Sequence, residues 1–244
     1  MGLFIALLSA LSGRVFAVED AGCNLSRGKL DELKSIQENP DLDYAQKTAI
    51  ELRTRKALLE EIVDCSIKEA VATENNLAKT DINDSEVRTL RSQFISRLDD
   101  AANYYELQKS KIGDLGLQGS RNFARDLKDW RDGNYKPATK LASNFIIWSQ
   151  NQGLMQSAKN RLDQIASAVN ILKLVYDEKI QNLWRSANES FNKAREANLE
   201  AKLNLRASLP DEALNSLKTS LSALSQTYSN LSDLFANINW SLRP

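Results

Sequence analysis

Side-chain catalysis needs groups that titrate or attack, and this chain is short of them. None of its 244 residues is histidine. That excludes a His general base, a Ser-His-Asp or Cys-His nucleophile, and a His-ligated metal. Adjacent acids occur at Glu60-Glu61, Asp99-Asp100 and Asp177-Glu178. Acid–base hydrolysis requires two carboxylates facing one cleft in unlike environments. Neighbours on a helix diverge by about 100°, so these pairs read as solvated charge. A helix-borne di-iron site wants Glu-x-x-His, which a chain without histidine cannot supply. Nine glycines leave little for phosphate-cradling loops, and no GxGxxG, Walker, HExxH, EF-hand or CxxC motif occurs. The expectation is no catalytic residue, no cofactor and no metal.

Binding chemistry is similarly thin. Arg121, Arg125 and Arg131 would suit an anion, but Asp126, Asp129 and Asp132 interleave with them. Trp130, Tyr135, Phe145 and Trp148 would line a pocket or pack a helix corner, and the corner is the commoner use. Thirty-two basic against thirty-two acidic residues give zero net charge, hence no field that draws in nucleic acid. Asn24, Asn83, Asn188, Asn230 and Asn239 each begin a glycosylation sequon. In a chain rich in Asn and Ser such matches arise by chance.

The N-terminus reads as an export signal. Leu3-Phe4-Ile5-Ala6-Leu7-Leu8-Ser9-Ala10-Leu11 is apolar, and Val15 and Ala17 supply the small residues a signal peptidase needs. Cleavage after Ala17 makes 1–17 the signal; no Lys or Arg precedes the apolar run, which departs from the pattern. An uncleaved membrane anchor and a buried cytosolic helix are the alternatives. The run is well short of the ~20 residues of a spanning helix. Asp20-Ala21-Gly22-Cys23 imitates a lipoprotein site, but Glu19 and Asp20 stand where the apolar run should continue.

The elements that must hold these residues are helices. Leucine (35) and alanine (26) abound while valine (7) and threonine (8) are scarce. One helix is expected over about 26–38, ending at Asn39-Pro40, and a second over about 41–79. A third carries Val87, Leu90, Phe94, Leu98, Ala101 and Tyr105 at 3-4 spacing. Gly113, Gly116 and Gly119 end it and mark a domain boundary, giving regions 18–116 and 117–244. A short helix over about 120–131 is broken by Asp132-Gly133-Asn134. Pro137 then opens a helical pattern lasting to about Ala207, with a kink expected near Gly153. After Ser208-Leu209-Pro210-Asp211 comes the strongest pattern: Leu214, Leu217, Leu221, Leu224, Tyr228, Leu231, Phe235 and Ile238, an unbroken heptad seam. Few charges flank it, so it is expected to lie centrally or in a self-association interface, with Leu221 and Leu224 fully buried. Residues 18–116 hold an acidic excess and 137–208 a basic one.

Export places Cys23 and Cys65 in an oxidising compartment. A hairpin about Asn39-Pro40 sets residue 26 opposite about residue 55. Three extended residues at ~3.3 Å and a helical rise of 1.5 Å per residue then carry Cys23 to about residue 62. Cys65 is one turn further, so a Cys23–Cys65 disulfide is expected.

The stretch Arg121–Arg131, then Tyr135 and Pro137, then Asn144-Phe-Ile-Ile-Trp148 resembles a segment of uncharacterised secreted all-helical proteins of candidate-phyla bacteria. The likeness covers about forty residues and implies a bacterial, exported, helical protein and no activity. The fold expected is all-α, an elongated antiparallel helical bundle with coiled-coil-like long helices. The function expected is an exported structural or protein-interaction module of the cell envelope, with a protein partner or self-association. A ligand-sensing extracytoplasmic bundle is the alternative, and an enzyme of carboxylates and arginines alone is a further rival.

Overall fold

The computed structural model of the chain describes residues 27–80, 82, 84–174 and 177–241. The expected signal 1–17 and Cys23 lie outside them. No strand occurs among the described residues, and the fold is all-α. The helices are α1 (Arg27–Glu38), α2 (Tyr44–Ala78), α3 (Ser85–Lys109), α4 (Leu117–Trp130), α5 (Lys136–Ile171), α6 (Glu178–Arg206) and α7 (Pro210–Ser241). The chain divides into two compact units, the first of residues up to Lys79 with Asn83–Ala142, the second of Thr80–Ile82 with Ser143–Pro244.

In the first unit α2 starts at a capping box. The Asp43 carboxylate accepts from the Gln46 N–H at 2.8 Å, and the Gln46 side chain accepts from the Asp43 N–H at 3.1 Å. Asp84 caps α3, its side chain accepting from the Glu86 and Val87 N–H groups. α3 runs antiparallel to α2: Lys109 pairs with Asp64 at 2.7 Å near one end, and Arg91 reaches the Ala78 carbonyl at the other. The expected stripe Val87, Leu90, Phe94, Leu98, Ala101 and Tyr105 is buried.

The glycine cluster is not the boundary. A single 3-10 turn, Ile112–Asp114, leads into α4, which packs back on α2 through Leu127, joined by Tyr135 just beyond the helix. Nor does Asp132-Gly133-Asn134 break the chain. Arg131–Tyr135 form one π turn that carries α4 directly into α5, with the Lys136 N–H donating to the Arg131 carbonyl. Pro137 explains the choice. In an α-helix its ring would strike the carbonyl four residues back; one π turn shifts the ladder and lets the helix continue past it. Asn134 donates its side-chain amide to the Trp130 carbonyl at 3.2 Å.

The second unit holds the remainder of α5 with α6 and α7. The helical pattern expected to run from Pro137 to Ala207 is interrupted after Ile171, while α5 passes Gly153 without interruption. Lys173 takes a left-handed φ of 55°, and Asp177 caps α6 by accepting from the Ile180 N–H. α6 ends in a Schellman motif. Ser208 has φ 57°, the Leu209 N–H donates to the Asn204 carbonyl, and the Ser208 N–H donates to that of Leu205. Pro210 then stands first in α7, where its missing N–H costs nothing. The three helices run up, down and up, and their core is layered. Val169, Ile180, Leu234 and Ile238 form one layer, Leu162, Ala187 and Leu231 the next, and Ala158, Ala194, Ala223 and Leu224 a third.

Candidate interaction surface

The inner face of α6 is mostly alanine, with Ile180 and Leu205 toward its ends and Asn198 within it. Ala187, Ala194 and Ala201 recur every seven residues and are fully buried. On α7 the matching column is Ala213, Ser220 and Thr227, also fully buried. Ser220 donates to the Ala194 carbonyl at 2.8 Å. That contact sets an antiparallel register with Ala201 level with Ala213 and Ala187 level with Thr227. A side chain as short as serine reaching the neighbouring backbone requires two helices in close approach, which side chains this small allow.

One layer of this core is polar. Asn151 of α5 donates to the Asn198 Oδ1 at 3.0 Å and to the Ser220 Oγ at 2.8 Å. The Trp148 indole donates to the Asn198 carbonyl at 3.2 Å. All three helices are therefore tied at one level, although the Asn151 Oδ1 is buried without a hydrogen-bond partner.

The expected seam on α7 is turned by one residue from the buried face. Leu217, Leu224, Leu231 and Ile238 are buried as expected. Leu214, Leu221 and Tyr228 are only half-buried, and Phe235 is 61% exposed. Ala213, Ser220, Thr227 and Leu234 occupy the second buried column instead. Serine and threonine can fill it because their hydroxyls are satisfied locally or across the interface. Thr227 donates to the Ala223 carbonyl at 2.9 Å and Ser216 to that of Glu212 at 3.1 Å.

The outer face of α6 carries what the sequence reading passed over. Leu199 is 59% and Leu203 54% exposed, one turn apart on the side away from the alanines. Leu209, in the turn that follows, is exposed as well. Their signal in the sequence is phase: two leucines four apart, out of step with the inward column of Ala194 and Ala201.

The other residues singled out in the sequence are structural. Arg131 donates to the Ser66 Oγ at 2.8 Å and to Glu69 at 3.0 Å, and lies over the Tyr135 ring. Tyr105 and Tyr135 meet edge to face with centroids 5.5 Å apart, and Tyr104 stacks on Trp130 at 3.6 Å. Burial pushes the Tyr105 and Tyr135 phenols up, so both stay protonated. Arg121 pairs with Glu51 at 2.9 Å, and Arg125 with Asp126 at 3.7 Å. Asp132 is held near a pKa of about 2 by Lys136 and Lys128. In the second unit Phe145 and Trp148 are buried core, their centroids 5.8 Å apart.

Of the acid pairs, Glu60, Asp99, Asp100 and Glu178 face solvent, and Asp177 is the α6 cap. Asn188 and Asn230 of the sequons sit within helices and bond internally. Cys65 is disulfide-bonded, while Cys23, its expected partner, is outside the described residues. Among the described residues no group of three or more His, Cys, Asp or Glu is placed to hold a metal ion. No described helix is long and apolar enough to cross a membrane. No known protein family, curated protein or solved structure matches the chain.

Proposed function

We propose that this chain is an exported helical-bundle module of the cell envelope that works by holding another protein, without catalysis. Within it, α6 and α7 act as a short close-packed coiled coil whose outward side is the working surface. One observation carries this reading: the exposed pair Leu199 and Leu203 on a helix whose opposite face is already closed by alanines. Single exposed apolar side chains are ordinary, whereas contiguous ones mark contact sites, and these two lie one turn apart. The apolar N-terminal run with its small-residue cleavage site supports export. The likeness of 121–148 to secreted helical proteins of candidate-phyla bacteria agrees with it.

The test has two parts. Fractionation with N-terminal sequencing should find the protein outside the cytoplasm, beginning at Val18. A photo-crosslinking residue at position 203, in cells that make the protein, should give a discrete higher-mass adduct. A chain retained in the cytoplasm, or one that forms no adduct at any expression level, would overturn the reading.

A further inference from the structure

We infer that the occupant of the Leu199–Leu203 face is a second copy of this chain, paired through α6 in parallel. The inference rests on the interaction reading above and names its partner. Its basis is the charge on either side of the leucines. At about 100° per residue, Glu189, Glu196 and Glu200 fall on one flank of the leucine midline, with Lys193 at its outer edge. Arg195, Lys202 and Arg206 fall on the other. Beside the two leucines the helix thus presents a predominantly acidic bank and a basic bank.

Such a face is self-complementary in only one orientation. A two-fold axis parallel to the helix sets the acidic bank of each copy against the basic bank of the other, on both sides of the leucines. Glu196 then meets Arg195 of the second copy. A two-fold perpendicular to the helix sets acid against acid and base against base. Glu196 and Glu200 are one turn apart, a spacing at which like charges repel. Neither they nor Glu189 and Arg195 make an ion pair among the described residues.

The contact is one helix against one helix, so it falls below the roughly 800 Å² per partner of a standard interface. The dimer is accordingly weak, with a Kd on the order of 0.1 mM.

Sedimentation of the purified full chain should show a monomer at about 10 µM and a dimer at about 1 mM, a hundredfold span around that Kd. Glu196→Arg with Glu200→Arg makes both banks basic and should leave a monomer at the higher concentration. Arg195→Glu with Lys202→Glu leaves that bank acidic but for Arg206 and should do the same. Mixing the two variants should restore a dimer, which no purely structural role of these surface residues produces. In parallel register Leu199→Cys should oxidise to a linked dimer, whereas Ser222→Cys on the exposed face of α7 should not. A wild type monomeric at the higher concentration, or a dimer indifferent to both charge reversals, would overturn the inference. So would a dimer that Leu199→Cys fails to link.

These failures differ from failure of the interaction reading. A monomer that still gives the in-cell adduct at position 203 loses only the second copy as partner. A monomer with no adduct loses both.

Discussion

Ser220 on α7 donates its hydroxyl to the backbone carbonyl of Ala194 on α6, at 2.8 Å, within a column of alanines opposed by Ala, Ser and Thr. A contact this short between a small side chain and a neighbouring backbone leaves no room for growth at position 194. Ala194→Leu is expected to destabilise the protein by about 1–3 kcal/mol through overpacking, read from urea denaturation. Lys193→Leu, one residue away and exposed, should change stability by less than about 0.5 kcal/mol.

The one-residue turn of the α7 face separates two leucines that the heptad pattern treats as equal. Leu224 is buried in the layer with Ala158 and Ala194, and Leu221 is half-buried. Leu224→Ala should cost about 2–5 kcal/mol. Leu221→Ala should cost no more than half as much, because part of its surface is already in water. Equal losses in parallel denaturation curves would mean that the seam, and not the rotated face, is buried.

The two left-handed residues bracket α6, at Lys173 and Ser208. A side chain in that conformation carries a steric cost that glycine escapes. Ser208→Gly, at the C′ position of the Schellman motif, is expected to stabilise by about 0.5–1 kcal/mol, visible as a higher Tm. Lys173→Gly should act in the same direction. The sites lie at opposite ends of a helix, so the double variant should show the sum.

Two carboxylates give opposite dependences on pH. Hydrogen bonds from Arg121 and Arg55 hold Glu51 below the usual carboxylate range, against a smaller cost of burial. Its contribution is present above the unfolded pKa and is lost as pH falls through the lower folded value. Burial and the neighbouring Asp99 push Glu74 up. Its contribution is present below the unfolded pKa and is lost as pH rises through the higher folded value. Glu51→Gln should therefore weaken the protein at pH 7, by about 1–2 kcal/mol for a lost charge-assisted pair, with the gap closing in acid. Glu74→Gln should strengthen it at pH 7 and change little in acid. Denaturation midpoints between pH 3 and 8 test both.

The sequence exposed the fold class and several of its helices because 3-4 spacing reports which side of a helix faces inward. The α3 stripe from Val87 to Tyr105 is buried as its spacing implies. What spacing hides is interruption without punctuation. The turn after Ile171 has no Gly or Pro, and Val169 and Ile180 keep a helical interval across it although they stand on antiparallel helices. The opposite error fell at Asp132-Gly133-Asn134, where turn residues sit inside a π turn. On α7, a reading by leucine alone could not see that Ser220 and Thr227 are buried, because their hydroxyls are satisfied only once the helices meet. The outward leucines of α6 were legible as a second phase, but nothing local distinguishes them from solvated apolar residues.

The alanine column has a calorimetric consequence. Unfolding raises heat capacity chiefly by wetting apolar surface, and wetting polar surface lowers it. Where α6 meets α7, one column contributes a methyl group, a hydroxyl or a backbone carbonyl, with leucines buried beside it. The second unit thus encloses less hydrocarbon along this column than a second leucine seam there would. Its stability should bend less with temperature, giving a flat, broad curve that is gentle in the cold as well as in the heat.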